Sequence, residues 1–244
     1  MIRLVVCFAC CFSLVRIEAS ERIKLYCIVT PQFERLLTDY FLPSIQDDFE
    51  VVMRKLPEEC PSGIFQSEGW GLVMLHKLEV LKEAIQENAN GQVFIYSDVD
   101  IIFFKPVLQR CLELLGDLDF LVQQGWPQHA LCAGFFVMRG NEKTYRLICE
   151  AESLLIKDRA LNDQTAIRQV ARLMRKEISW AFLPADEFPN GRRVLTDRIG
   201  YYSPSSTIAL PRSIVLFHAN CCIGLDLKID FLKRVQQAWL TLEE

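Results

Sequence analysis

Val93-Phe94-Ile95-Tyr96-Ser97-Asp98-Val99-Asp100-Ile101-Ile102-Phe103-Phe104 is the stretch whose reading decides the fold. An apolar run rich in β-branched and aromatic side chains reads as a buried strand. Two carboxylates stand inside it, two residues apart. Ionised carboxylates are not left in such surroundings without a partner. A hard divalent cation, which takes oxygen ligands, is the partner that fits. Residues two apart on a strand face the same side, so both side chains can approach one ion where the backbone turns. In an α/β sheet the carboxyl ends of the strands are where ligands collect. The competing reading is a strand-end turn with solvated Asp side chains.

The same alternation of strands and helices extends both ways along the chain. Upstream, Ile23 to Val29 reads as a strand, and Thr30-Pro31 opens a helix with Pro in its first turn and Thr30 as its cap. Phe33, Leu36, Leu37, Tyr40 and Phe41 form a helical stripe. Phe49 to Met53 is a second strand, and Pro57 to Gly63 a loop. Trp70 through Ile85 makes an amphipathic helix that stops near Asn88-Ala89-Asn90-Gly91. Downstream, Lys105-Pro106 opens a helix from Val107 to Leu115. Strands follow over Phe120 to Gln123 and Gly134 to Met138, then a helix over Glu142 to Ile156. A second helix begins at Asn162-Asp163-Gln164 and runs to Arg175. Ile178 to Leu183 and Ser213 to Phe217 are late strands, and Asp230 to Leu240 is a closing helix. The long stretch Arg192 to Pro211, with its Gly, Pro and Ser, is expected to be a mobile loop. This alternation predicts an α/β protein with a mostly parallel central sheet and helices on both faces.

Composition narrows the partners. The 244 residues are 51% hydrophobic, enough for one sizeable core, and no repeat or second domain is visible. With 27 basic and 31 acidic residues the net charge is −4, and no basic stripe marks a nucleic-acid surface. Residues 1–20 stand apart: Arg3 precedes an apolar run to Val15 that resembles a secretory leader or signal-anchor. The run is short for a membrane span, and an N-terminal element packed on the domain is the alternative. The compartment follows from it: secretory or membrane-associated with a leader, cytoplasmic without one. Residues 21–244 are then a single catalytic domain. Seven of the ten cysteines lie beyond the leader. Most sit in apolar runs, where Cys behaves as a small hydrophobe, and no C-x-x-C occurs among them.

Besides Asp98 and Asp100, three polar positions sit at the ends of elements. His218 closes Ser213-Ile214-Val215-Leu216-Phe217, with Asn220, Gly224 and Lys228 after it. A glycine lets backbone approach a phosphate and a lysine supplies a point charge; a lone structural histidine is the plainer reading. Asp163 and Gln164 stand at a helix start, where capping by Asn162 or Asp163 would also account for them. Gly134 precedes an apolar strand, where it permits close ligand approach or simply marks a bulge.

In order and spacing, "YSDVDIIFF", "CAGFFVMRG", "NDQTAI", "FPNG" and "HANCCIGLDLK" resemble the nucleotide-diphospho-sugar transferases near glycosyltransferase families 77 and 8, over roughly residues 23 to 235. The resemblance implies a GT-A fold, a Rossmann-like α/β sandwich, and a metal-dependent transferase with retention of configuration. It implies that Asp98, Asp100 and His218 hold Mn²⁺ or Mg²⁺ on the diphosphate of a nucleotide-sugar donor. Gly224 and Lys228 would contact phosphate, and Lys77 would lie near the nucleotide or sugar. Ala133 and Gly134 would line the sugar pocket, and Asn190 and Gly191 occupy the F-P-N-G turn. Asp163 and Gln164 would stand by the anomeric carbon or the acceptor, a glycan, protein or small molecule. Cys221, Cys222 and Ile223 interrupt the spacing between His218 and Gly224 relative to family 8. Two other readings compete: a non-catalytic sugar-nucleotide or carbohydrate binder of the same fold, and a haloacid-dehalogenase-type phosphatase. The latter expects its D-x-D at the end of the first strand, but nearly a hundred residues precede it here.

Overall fold

The computed structural model describes residues 22–57, 60, 64, 67–126, 130–158, 160–196 and 201–243. The leader-like segment and parts of the Pro57–Gly63 loop lie outside the described residues.

Chain order begins with β1 (Lys24–Val29) and an irregular helical stretch: a 3₁₀ turn Pro31–Phe33, α1 (Glu34–Leu36), a π turn Leu37–Phe41 and α2 (Leu42–Ser44). Then come β2 (Glu50–Lys55), α3 (Trp70–Glu87), β3 (Val93–Ser97), β4 (Ile101–Phe103) and α4 (Leu108–Leu115). The second half holds β5 (Phe120–Gln124), β6 (Leu131–Arg139), α5 (Glu142–Lys157), α6 (Asp163–Leu173) and β7 (Trp180–Phe182). It closes with α7 (Gly191–Val194), β8 (Leu216–His218) and α8 (Leu225–Glu243).

Six strands form the central sheet in the order β2-β1-β3-β6-β5-β7. All run the same way except β6, which is antiparallel to both of its neighbours. The expected mostly parallel α/β sandwich is present. Side chains alternate across β3. Phe94 and Tyr96 enter the core shared with α3, α5 and α6, while Ile95 enters the core shared with α4 and α8. Burial on both faces is why the sequence of this strand is a nearly unbroken apolar run.

Local chemistry explains the helix starts. Asn141 and Thr144 make a reciprocal capping box at α5, and the Asn162 side chain accepts from Thr165 N at α6. Thr30 takes the cap position ahead of Pro31, but its side chain makes no capping hydrogen bond.

Three expectations need correction. The opening run is not one strand. β3 ends at Ser97, the chain turns through Asp98-Val99-Asp100, and β4 pairs antiparallel with β8 in a separate two-stranded ribbon. Asp is a poor strand former, and the two carboxylates mark where the chain leaves one sheet for the other. Second, the described parts of Arg192 to Pro211 are not a free loop. They hold α7 and a bridge between Leu195 and Ile208. Tyr202 is buried and stacked on Phe231 of α8, with ring centroids 4.1 Å apart. Arg234 donates to the carbonyls of Pro204 and Ser206, both at 2.8 Å. The closing helix also starts earlier than the periodicity suggests, at Leu225, directly after Gly224 (φ +88°) and one turn after Cys221 (φ +58°). Among the described residues no helix is long and apolar enough to cross a membrane.

Candidate active site

The β4–β8 ribbon builds the site. Its ladder sets Ile101 opposite His218, and Ala219 N donates to the carbonyl of Asp100 at 2.8 Å. Asp100 and His218, far apart in sequence, thereby become cross-strand neighbours, with His218 Nε2 3.2 Å from Asp100 Oδ1. Asp98 is pinned from the other side, its N–H donating to Gly134 O on β6 at 2.7 Å. One ligand atom from each of Asp98, Asp100 and His218 lies within 4.8 Å of the others. Two carboxylate oxygens and an imidazole nitrogen form a donor set suited to a divalent cation that keeps open positions for substrate.

Each carboxylate has its own cation. Lys77, on the core side of α3 and 3% exposed, bridges Asp98 Oδ1 at 3.0 Å and Asp163 Oδ2 at 3.1 Å. Tyr96 also donates to Asp98 Oδ1 at 3.0 Å. Lys228, delivered by the first turn of α8, pairs with Asp100 Oδ2 and donates to Ala219 O at 3.0 Å. The electrostatics diverge accordingly. Burial pushes the Asp98 carboxyl up, with Lys77 opposing and Asp100 reinforcing the rise. Burial would raise Asp100 too, but Lys228 and His218 hold it well below the usual carboxylate range. Burial alone would lower His218, yet the adjoining Asp100 carboxylate lifts it to about 10. Both lysines are held up by their carboxylates against the opposing effect of burial.

These groups line a cavity of about 330 Å³. Lys77, Asp98, Asp100, Ala133, Gly134, Asp163, Gln164, His218 and Lys228 all reach it, alongside an apolar contingent of Ile28, Phe33, Trp70, Val73 and Met74. Three expected donor-binding residues do not line it. Asn190 and Gly191 lie behind the ligand strand. Asn190 bridges to His218 and its side-chain Nδ2 donates to Gln124 O at 2.7 Å, while Gly191 N donates to Asn220 Oδ1 at 2.9 Å. A Cβ on Gly191 would stand 2.2 Å from Asn220 O, so the F-P-N-G turn buttresses the site by close backbone packing. Gly224 turns the chain into α8, and its carbonyl accepts from Lys228 N.

Gly134 has a more specific demand than ligand approach. A Cβ there would lie 2.1 Å from His218 Cε1, so the missing side chain is the space the imidazole occupies. Asp163 is at the start of α6, but Asn162 does the capping, which frees the Asp163 carboxylate for Lys77. Gln164 Oε1 accepts from Ala133 N at 3.3 Å.

Residue-level reading of the sequence misses Gln123. It is fully buried and its Oε1 lies 2.8 Å from His218 Nδ1. The available signal is a Gln directly after Phe120-Leu121-Val122 in a strand with no exposed face. Arg192 and Tyr201, in the stretch expected to be a loop, also reach the cavity.

The fold and this cavity define an α/β enzyme that handles its ligand at the carboxyl end of a parallel strand, beside paired carboxylates and lysines. Residues 53–232 match the profile of the nucleotide-diphospho-sugar transferases, and the chain belongs to that family. It is a glycosyltransferase, taking a sugar from a nucleotide-sugar donor to an acceptor. Family membership removes the phosphatase reading. A glycosyltransferase involved in glycosylation of the major capsid of PBCV-1 is similar in structure, with a TM-score of 0.59 and 8% identity over 87% of this chain and 100% of the other. The apo form of the glycosyltransferase GlyE of Streptococcus pneumoniae TIGR4 has a TM-score of 0.50 and 11% identity over 91% of this chain and 64% of its own. At such identities the likeness is one of fold. No curated protein matches the sequence.

Proposed function

We propose that the chain is a metal-dependent, retaining glycosyltransferase in which Asp98, Asp100 and His218 hold the cation that grips the donor diphosphate. The observation that carries this reading is the convergence of the three ligand atoms within 4.8 Å on the cavity wall. The imidazole favours Mn²⁺ over Mg²⁺, because Mg²⁺ prefers an all-oxygen shell. When bound, the cation neutralises charge on the diphosphate as the glycosidic bond to it breaks.

The chain's own residues do the rest. Lys228 turns from Asp100 to the phosphate and adds a positive charge where negative charge develops. Ala133 and Gly134 flank the sugar through backbone, since neither has a side chain large enough to fill the cavity. Asp163, held in place by Lys77, and Gln164, held by Ala133 N, face the cationic side of the sugar. With retention, the leaving phosphate oxygen accepts the acceptor's hydroxyl proton as the new bond forms on the same face. The acceptor is a glycan, protein or small molecule presenting that hydroxyl.

The test is a screen of nucleotide sugars with Mn²⁺, reading donor hydrolysis and protection against thermal unfolding. One donor should raise the melting temperature and be turned over only with metal. Undiminished turnover under excess chelator would remove the metal from the reading.

A further inference from the structure

We propose that Gln123 is a positioning residue for His218. It keeps a hydrogen on Nδ1, so that Nε2, the nitrogen beside Asp100, is the one offered to the cation. This inference rests on the metal reading above.

The amide has only one orientation open to it. Gln123 Nε2 donates to two main-chain carbonyls, Phe188 O at 3.0 Å and Pro189 O at 3.2 Å. Carbonyls accept and never donate, so the NH₂ end must face them and Oε1 must face the ring. Oε1 lies 2.8 Å from His218 Nδ1 and can only accept there, which places a proton on Nδ1. The other neighbour of Nδ1, Cys132 Sγ at 3.5 Å, already accepts from Asn220 Nδ2 at 3.3 Å and competes weakly. The opposite ring nitrogen is the one beside Asp100, at 3.2 Å. A neutral histidine that ligates a metal needs this arrangement: one nitrogen donating outward, the other free for the ion.

The backbone is arranged to permit it. The β5–β6 register shifts between Val122 and Gln123, so Val122 faces Phe136 while Gln123 faces Cys132. Such a bulge re-aims a side chain. The same irregular stretch of β6 carries Gly134, whose missing side chain admits the ring. Gln123 therefore reads the carbonyls of the F-P-N-G turn on one side and orients the ligand histidine on the other.

The test measures Mn²⁺ binding by electron paramagnetic resonance, without donor, for the wild type, Gln123→Met, His218→Ala and the double variant. The unbranched Met side chain keeps the length and removes the amide. Mn²⁺ affinity should fall about 10- to 100-fold in Gln123→Met, and the same change on the His218→Ala background should alter affinity by less than about twofold, because the effect runs through the imidazole. A Gln123→Met affinity within about twofold of wild type overturns the inference. So does an equal loss in both backgrounds, which would mark a general packing defect. A wild type that binds no Mn²⁺ removes the metal reading and this inference with it. Nitrogen NMR of histidine-labelled wild type saturated with Zn²⁺, a diamagnetic ion that imidazole ligates, needs no variant to fold: the proton should sit on Nδ1, and a proton on Nε2 or on both nitrogens overturns the proposal.

Discussion

Asp98 and Asp100 are two residues apart and belong to different halves of the site. Asp98 hangs from the main sheet, with Gly134 O on its N–H and Lys77 of α3 on its carboxylate. Asp100 hangs from the β4–β8 ribbon, with Ala219 on its carbonyl and His218 and Lys228 on its carboxylate. In the first cluster Lys77 and Asp163 are 3% and 4% exposed and pair with each other, beside Asp98 at 28%. In the second, Lys228 and Asp100 are 13% and 12% exposed, and the lysine comes from the first turn of α8. The contrast implies a division of labour. On the proposed function, the Lys77–Asp163 pair would stay together, while Lys228 would leave Asp100 for the donor phosphate.

Four variants test that division. The largest effect should be on turnover in Asp100→Ala, which loses a cation ligand and the partner of both His218 and Lys228. Donor hydrolysis with Mn²⁺ should drop at least about a hundredfold; retained activity would remove Asp100 from the metal role. Next, Lys77→Met should lower unfolding free energy by about 3–5 kcal/mol, since it leaves Asp98 and Asp163 without their cation. Lys228→Met should lower kcat sharply with a much smaller change in denaturant midpoint. Equal destabilisation by the two would abolish the distinction between a fixed and an exchangeable lysine. Gly134→Ala touches both halves, because Gly134 binds Asp98 N and admits His218. It should cost about 1–3 kcal/mol by overpacking, and weaken Mn²⁺ binding; calorimetry reads both.

The smallest effect belongs to a carboxylate outside the site. Asp119 accepts from Ser179 N at 2.8 Å, Ser179 Oγ at 2.9 Å and Asn141 Nδ2 at 2.9 Å. Burial opposes ionisation there, but these donors and Lys143 hold the group below the ordinary carboxylate value. A folded pKa below the unfolded one stabilises the fold above about pH 4. That contribution disappears as pH falls through the depressed value. Asp119→Asn should therefore lose about 1–2 kcal/mol near neutrality and show a flatter decline in melting temperature in acid, with donor turnover unchanged.

Much of this was legible in the chain. The strand and helix sequence followed from periodicity, because β3, β5 and β6 are buried on both faces and the helices carry one apolar stripe. The candidate ligands Asp98, Asp100 and His218 were visible as polar residues closing apolar runs, and their motifs resembled one family whose profile the chain matches. The break at Asp98 was not visible. A strand that ends and a strand that changes sheets show the same apolar letters, and only pairing with β8 distinguishes them. The 192–211 stretch looked like a loop because Gly, Pro and Ser report local backbone preference. Its order comes from Tyr202 and Arg234, a pairing between distant segments.

The sequence by itself determined the class of fold, the positions where apolar strands end in polar side chains, and the donor atoms offered for a cation. These are local properties, set by side-chain chemistry and a period of two or 3.6 residues. Tertiary structure alone decided which lysine serves which carboxylate, why position 134 has no side chain, and that Gln123 faces the ring of His218. Those depend on distances between segments far apart in the chain, fixed by the β4–β8 pairing and the β5–β6 register shift, which no local pattern encodes.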